Sequence, residues 1–379
     1  THISELLPRM AKRMDKVALI RSTSHGGYGH GLDTAFKDAA LFEVTAIADD
    51  DPAGLAATGK RLGVAKLHAN WRDLLAQEKP DIVAIGPRWI TDRVAMVTSS
   101  AEAGCHIFLE KPLAATLRDA DAMLAACERA KVKCCLAHQL RTMPPVRAAF
   151  ADIRAGKFGK VLRLSARPTD DARGGGEELI VHGTHFFDLM ISLAGPPRWV
   201  SAHFATGDRD ATLADKHEGR EPIGPICGDS VELMIGFDHG VRGFWHSTAN
   251  LSRHGTIYGL MIECEQATVC VRTRSDVFIY PGPVIEPENE NRAWEKVWVE
   301  DWHFTAEHQP APLNDYILRG NHTLVRELVA AIEHDTEPTA SLHDAVLVTE
   351  IIQGAYVSHF SGGKRMPIPL AERRHPLEG

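Results

Sequence analysis

The most informative residue in this chain that could do chemistry is a lysine at the end of a strand-like run. Glu110-Lys111-Pro112 closes the apolar stretch Cys105-His106-Ile107-Phe108-Leu109 and precedes a helical pattern. Open α/β sheets bind ligands outside the carboxyl ends of their strands, so Lys111 is expected to point into such a crevice. An ammonium there can hold a developing alkoxide and relay its proton. Further on, Val181-His182-Gly183-Thr184-His185-Phe186-Phe187-Asp188 offers two imidazoles, whose ordinary pKa lies near neutrality and suits a base. On a helix His182, His185 and Asp188 share a broad face. Asp188 then either orients a ring or ties the helix to a loop. Upstream of them Arg173, beside Gly174-Gly175-Gly176, and Glu178 are candidates for substrate contacts.

A second constellation lies near the amino end. Ser22 to Gly31 is dense in glycine, and Asp49 follows about twenty residues later at the end of another apolar run. A dinucleotide site needs glycines there so that backbone amides can approach a pyrophosphate. Strict G-x-G-x-x-G spacing is absent. Gly27, Tyr28, Gly29 and His30 are the candidate loop contacts, and Asp49 with Asp50 the candidate ribose contacts. A carboxylate at that place repels a 2′-phosphate, and no arginine adjoins Asp49-Asp50-Asp51 in the sequence, so NAD is expected over NADP. Asp51-Pro52 also suits the entry to a helix.

The elements that must position these groups alternate. Apolar runs at 16–20, 42–48, 81–85, 107–109 and 132–137 read as strands, with helical patterns starting at Leu32, Pro52, Trp71, Thr91 and Leu117. This predicts an α/β Rossmann domain with a doubly wound parallel sheet. After residue 160 the pattern becomes alternating strands with hairpin signals, such as Asp238-His239-Gly240. One helix over 179–193 interrupts them. This part is expected to be an α+β domain with a large, mainly antiparallel open sheet. Helices over 322–334 and 341–359 close the chain, the second opened by Ser341 and Asp344 as a capping box. The expected organisation is an N-terminal arm at 1–15, a cofactor domain at 16–140 and a substrate and oligomerisation domain at 141–379, whose C-terminal helices pack back.

The chain has 379 residues, enough for two cores. Its net charge of −8 argues against nucleic acid or anionic membrane as a partner. No run approaches the roughly 18 apolar residues of a membrane span. Seven cysteines without zinc-type spacing read as reduced thiols. The expected compartment is the cytoplasm, with export by a removed leader as the alternative. No metal is expected: His138, His182, His185 and Glu178 could surround zinc, but their spacing favours proton transfer no less.

Ala48-Asp49, Glu110-Lys111-Pro112, the Gly174-Gly175-Gly176 run and Gly183-x-His185-x-x-Asp188-Leu189 carry a resemblance to the Gfo/Idh/MocA oxidoreductases over residues 26–370. The resemblance implies a cofactor lying across the strand ends and a substrate between the domains. It also implies homodimers or homotetramers through the outer face of the β-sheet. It places Gly86, Pro87, Arg88 and Trp89 after the fourth strand beside the nicotinamide half and the substrate. It places His138-Gln139-Leu140-Arg141 along the cleft, with Glu110 and Lys111 at the cofactor. Many relatives carry an aspartate four residues before the histidine. Here Val181 stands there, so His182, Glu178 or Glu177 substitutes, or the chemistry differs. Residues 4–22 are similar to a segment of a sulfatase-like secreted family, which makes the first strand an unusual version.

The activity implied is NAD-dependent hydride transfer between nicotinamide and a secondary hydroxyl of a sugar, sugar acid or cyclitol, with Lys111, His185 and His182 as catalytic candidates. Two alternatives are kept. One is a redox-neutral, NAD-dependent glycoside-cleaving enzyme of the same fold. The other is a non-catalytic sugar-binding homologue.

Overall fold

Six short apolar runs build the first sheet. They are β1 (Lys16–Ile20), β2 (Glu43–Ala48), β3 (Lys66–His68), β4 (Ile82–Ile85), β5 (His106–Leu109) and β6 (Cys134–Leu136). In the computed structural model all neighbours pair in parallel, in the order β3-β2-β1-β4-β5-β6. The model describes residues 16–21, 30–36, 38, 41–251, 259–272, 276–286, 288, 293–311 and 316–378. Backbone contacts divide the chain into two units, residues 1–139 with 317–346, and residues 140–316 with 347–379.

In the first unit both faces of the sheet are covered, which is why its strands read as continuous apolar runs. Val17 and Leu19 face a core shared with Leu324 and Leu328 of the helix Tyr316–His334. Ala18 and Ile20 face the opposite core, with Met96, Val97 and Met123. The helices begin where the side chains dictate. Asp51 accepts from the amides of Ala53 and Gly54 at 3.2 and 2.9 Å, Asn70 from that of Arg72 at 2.9 Å, and Thr116 from that of Asp119 at 3.0 Å. These caps start the helices Pro52–Leu62, Trp71–Glu78 and Leu117–Ala130. The strand order reverses between β1 and β4, which creates the crevice where open α/β sheets hold ligands. Ser341 Oγ accepts from the Asp344 amide at 3.1 Å and opens the last long helix, Leu342–Phe360. Just before it, the amide of Leu136 donates to Ala340, so this segment continues the sheet beside β6.

The second unit holds β7 (Val161–Arg167), β8 (Trp199–Thr206), β9 (Arg209–Asp210), β10 (His217–Glu218), β11 (Pro225–Ile226), β12 (Ser230–Gly236), β13 (Arg242–Thr248), β14 (Gly259–Cys264), β15 (Thr268–Arg272), β16 (Val277–Tyr280), β17 (Glu295–Lys296) and β18 (Met366–Pro367). Its large sheet runs β17-β16-β15-β14-β7-β13-β12-β8-β18, with β9 against β8. Only β7 and β13 pair in parallel; the other ladders among the described residues are antiparallel. The sheet is mainly antiparallel, as expected, with one parallel ladder among the described residues.

Where the sequence suggests one helix over 179–193, the chain forms two, Gly176–Val181 and Gly183–Ala194, joined at His182. The second packs on the sheet through Phe186 and Phe187, whose rings lie 5.9 and 5.4 Å from that of Trp245. Burying each ring contributes about 1.5–3 kcal/mol. That contact fixes the helix carrying His185.

Candidate functional site

Every strand of the first sheet ends at one edge, and the candidate residues of this unit collect there. Arg21 follows β1, Asp49 follows β2, Gly86 follows β4, Glu110 and Lys111 follow β5, and His138 follows β6. Backbone bonds extend the ladders past the strand ends. The Arg21 amide donates to Ala48 at 2.7 Å, Gly86 to Ile20 at 2.9 Å, Glu110 to Ile85 at 2.9 Å and Ala137 to Leu109 at 2.8 Å. Asp49, Lys111 and His138 are all buried.

Glu110 is wholly buried and grips His30, near the end of the glycine-dense loop. Its carboxylate accepts from the His30 amide at 3.3 Å and from the ring Nδ1 at 2.8 Å. Burial pushes the Glu110 carboxyl upward, but His30 and Lys111 outweigh it and leave the group below its ordinary value. It is therefore ionised, and His30 Nδ1 is the donor. Asn321 Nδ2 donates to the His30 carbonyl at 3.0 Å, so the helix Tyr316–His334 holds the same residue from behind. His30 and Glu110, expected as cofactor contacts, thus bind each other and tie the loop exit to the Lys111 segment. Gly27, Tyr28 and Gly29 lie outside the described residues.

The residue that orders this edge is one the sequence reading passed over. Arg93 is 2% exposed. Its Nη1 donates to the carbonyls of Glu110, at 2.7 Å, and Pro112. Its Nη2 donates to those of Pro87 and, at 3.4 Å, Trp89. One guanidinium therefore staples the loop after β4 to the loop after β5, with Lys111 between two of the gripped carbonyls. Burial lowers its pKa to about 10, against the opposing pull of Glu110, so it stays charged at neutral pH. The sequence does carry a signal. Arg93 heads the stripe Arg93, Met96, Val97, Ser100, Ala101 that the helix Arg93–Glu102 buries. A cation on a buried face needs several acceptors.

Near the ends of β1, β2 and β4 lies a pocket of about 230 Å³, lined among others by Arg21, Asp49, Asp50, Asn70, Arg72 and Trp89. Asp49 Oδ1 accepts from the Asp51 amide at 3.1 Å, Asp51 caps a helix, and Asp50 is exposed. Two carboxylates at the end of β2 on a pocket wall fit the ribose hydroxyls of a dinucleotide. Arg21 and Arg72 line the same pocket, although no arginine adjoins the acids in the sequence. Arg21 pairs with Asp33 at 3.7 Å, and Arg72 lies 4.1 Å over the Trp71 ring. Gly86, Pro87 and Trp89 are buried, and Arg88 is half-buried.

In the second unit the polar cluster is built around Glu178, which is fully buried. Its Oε1 accepts from Thr169 N at 2.9 Å, from Thr169 Oγ1 and from His182 Nδ1 at 2.8 Å. Its Oε2 accepts from Asp170 N at 3.1 Å and Ser247 Oγ at 2.8 Å. Burial raises the carboxyl, yet His182, Thr169 and Ser247 together bring it below its usual value.

The glycine run makes this cluster possible. A Cβ on Gly174 would sit 2.1 Å from the Ala249 nitrogen, and one on Gly176 2.4 Å from the Cys227 oxygen. Gly175 N donates to Ser247 Oγ at 3.0 Å and Gly176 N to Gly228 at 3.1 Å, so these amides are engaged inside the unit. Arg173, expected at a substrate edge, holds Asp171 at 2.8 Å and Glu221 at 3.1 Å. Arg141 holds Asp188, with Nε to Oδ2 at 2.6 Å and Nη2 to the carbonyl at 2.9 Å. Asp188 thereby fastens its helix to the turn at 140–142, the second of its two expected roles. His185 is buried one turn before it, and Val181 belongs to the apolar core. Among the described residues no three His, Cys, Asp or Glu side chains could hold a metal ion.

The NAD-binding Rossmann-fold domain of an oxidoreductase family matches residues 24–138, and the family's C-terminal α/β domain matches residues 153–370. The chain belongs to the Gfo/Idh/MocA oxidoreductase family. Its first unit carries this family's NAD-binding Rossmann domain, and the matched region begins after β1. The chain is 33% identical over 200 residues to the D-apiose dehydrogenase of Paraburkholderia graminis, across 48% of this chain and 53% of that protein. It is 29% identical over 232 residues to the levoglucosan dehydrogenase of Pseudarthrobacter phenanthrenivorans, across 54% of this chain and 58% of that protein. The chain thus spans little more than half the length of these curated relatives. A levoglucosan dehydrogenase solved with NADH and L-sorbose superposes with a TM-score of 0.75 at 20% identity, over 94% of this chain and all of that one. That likeness is one of fold.

Proposed function

We propose that the chain is an NAD-dependent oxidoreductase that moves a hydride between nicotinamide and a secondary hydroxyl of a sugar, sugar acid or cyclitol. The observation that carries this reading is the carboxyl edge of the first sheet, where Asp49 ends β2 and Lys111, locked by Arg93, follows β5. The family's NAD-binding domain and the sugar dehydrogenases among its relatives support it. When bound, the dinucleotide supplies the hydride acceptor. Asp49 and Asp50 accept hydrogen bonds from its adenosine ribose, and the loop from Gly86 to Trp89 shapes the nicotinamide half. Lys111 donates to the substrate oxygen and stabilises the charge that grows there. One imidazole of the pair His182 and His185 removes the hydroxyl proton.

The same reading pairs copies of the chain through the outer face of the second sheet. Met234, Phe244, Met261 and Phe278 stand in one row across five register steps, and all are only partly buried. Four apolar side chains in line on an open sheet support a second copy as their cover. The reading also places the chain in a reducing compartment such as the cytoplasm, supported by seven cysteines that stand outside any disulfide. No helix among the described residues is long and apolar enough to cross a membrane.

Incubation of the purified chain with NAD and a panel of aldoses, sugar acids and cyclitols tests the activity. Growth of NADH absorbance with stoichiometric keto or lactone product is expected. A chain that binds NAD and sugars but oxidises none of them overturns the proposal.

A further inference from the structure

The opposite edge of the first sheet carries a pair of thiols that hydride transfer does not use. The helix Leu117–Ala130 stops in a left-handed turn at Lys131, with φ at 57°. The Val132 amide donates to the Cys127 carbonyl at 3.0 Å, and the Lys131 amide to that of Glu128 at 3.1 Å. This turn returns the chain to β6, whose first residue, Cys134, joins Cys127 in one core cluster. The two thiols hydrogen-bond to each other. Cys135, the next residue, faces the opposite core. Cys127 and Cys134 also line a pocket of about 450 Å³ whose rim is exposed and polar, with Glu128, Lys131, Asp335, Glu337 and His343. Lys133 holds Asp335 at 2.8 Å, and His343 reaches Glu128 at 3.2 Å and Glu337 at 3.4 Å. The hydrogen bond from Cys134 holds the Cys127 thiol below its ordinary value against burial, while Cys134 itself is raised. By contrast burial, with Asp81, pushes Cys105 up to about 11. A thiol that ionises more readily, at a pocket and beside a second thiol, is a nucleophile with a resolving partner.

We propose that Cys127 and Cys134 are a peroxide-reactive dithiol that closes to a reversible disulfide. The Cys127 thiolate attacks one oxygen of hydrogen peroxide. An S–O bond forms, the O–O bond breaks, and the departing hydroxide takes a proton and leaves as water. The Cys134 sulfur then attacks the Cys127 sulfenic acid. An S–S bond forms, the S–O bond breaks, and a second water leaves with the Cys134 proton. Two thiols and one peroxide thus become one disulfide and two waters, with two electrons passing from sulfur to oxygen. A small thiol such as glutathione reverses the change by two successive exchanges and leaves as its own disulfide. The bond ties the end of the helix to β6 at the amino edge of the sheet, away from Lys111 and His138, which follow the carboxyl ends of β5 and β6. It stands whether or not the chain oxidises a sugar.

The full chain, reduced and then treated with a small excess of hydrogen peroxide, tests the pair. After the remaining thiols are blocked, trypsin releases residues 119–129, which hold Cys127, and residues 134–141, which hold Cys134 and Cys135. Mass spectrometry should find these two peptides joined, two hydrogens lighter than their sum, and separated again by glutathione. Non-reducing electrophoresis should keep the oxidised chain at the monomer position. The link should persist in Cys135→Ala and vanish in Cys134→Ala, where dimedone should trap a sulfenic acid on Cys127. In the reduced wild type, iodoacetamide at neutral pH should modify Cys127 about tenfold or more faster than Cys105. A wild-type chain that yields no joined peptide overturns the proposal without recourse to any variant. A link that survives Cys134→Ala, or one that forms only between two chains, overturns the pairing of Cys127 with Cys134. Modification of Cys105 ahead of Cys127 overturns the assignment of Cys127 as the nucleophile.

Discussion

Arg93→Met removes one charge from the interior while keeping most of the side chain's bulk. In the native chain four carbonyls, those of Pro87, Trp89, Glu110 and Pro112, receive its N–H groups in a site that water does not reach. Methionine supplies no donor. Each buried carbonyl left without one costs about 1–3 kcal/mol, offset in part because the guanidinium no longer has to be desolvated. Two carbonyls that find no substitute give a net loss of about 3–5 kcal/mol. For a unit of this size that lowers Tm by roughly 10 °C. The functional effect should be as large. Lys111 lies between two of the gripped carbonyls, and a displacement of about 1 Å at a catalytic group can cost 10²-fold in rate. Urea denaturation followed by far-ultraviolet dichroism measures the first quantity, and kcat on the best polyol measures the second. Arg93→Lys, with a single ammonium that cannot fork to both loops, should fall between the two. An Arg93→Met chain within about 1 kcal/mol of wild type and with full kcat would refute the staple.

Other substitutions follow from the same geometry. Gly174→Ala should destabilise the second unit by more than about 3 kcal/mol, since the new methyl group meets the Ala249 backbone at 2.1 Å; a shift in Tm of under 2 °C would contradict the packing. Asp49→Ser should raise the ratio of kcat/KM for NADP over NAD by about tenfold or more, because Arg21 and Arg72 remain on the pocket wall once the carboxylate is gone; an unchanged ratio places the ribose elsewhere. His375 is buried and accepts from the Leu377 amide at 3.1 Å, and burial, with Lys216, lowers its pKa from 6.5 to about 4. The unfolded chain therefore binds this proton first, so stability is full above pH 6.5 and falls as pH drops from 6.5 toward 4, by roughly 3 kcal/mol. Denaturation midpoints across that range should decline in wild type and flatten in His375→Gln, whereas parallel slopes would remove His375 from the account.

The Rossmann half was legible because burial on both faces writes itself as apolar runs. Val17 to Ile20, Ile82 to Ile85 and Ile107 to Leu109 carry no alternation to misread. The edge strand Lys66–His68 escaped for the opposite reason: two of its three residues are exposed. The helix Pro144–Arg154 is not among the expected helices; it opens on two prolines, which fit the first helical position. The site was legible as residue types and not as pairings. His182, His185 and Asp188 look like one helical face, but the helix breaks at His182, and Glu178 and Arg141 take up His182 and Asp188. Arg173 reads as a substrate donor because its second partner, Glu221, lies beyond a loop that spacing cannot place. The ordering role of Arg93 depends on carbonyls, which every residue carries and no pattern reveals.

The central claim is that the ammonium of Lys111, at the end of β5, works on a substrate hydroxyl beside NAD. Parallel kcat measurements on wild type and Lys111→Ala, with NAD affinity followed by calorimetry, test it most directly. The expected result is NADH formation on at least one sugar or cyclitol by wild type, a loss of about 10²-fold or more in kcat for the variant, and NAD binding within a few-fold of wild type. A variant that turns over at the wild-type rate would contradict the account.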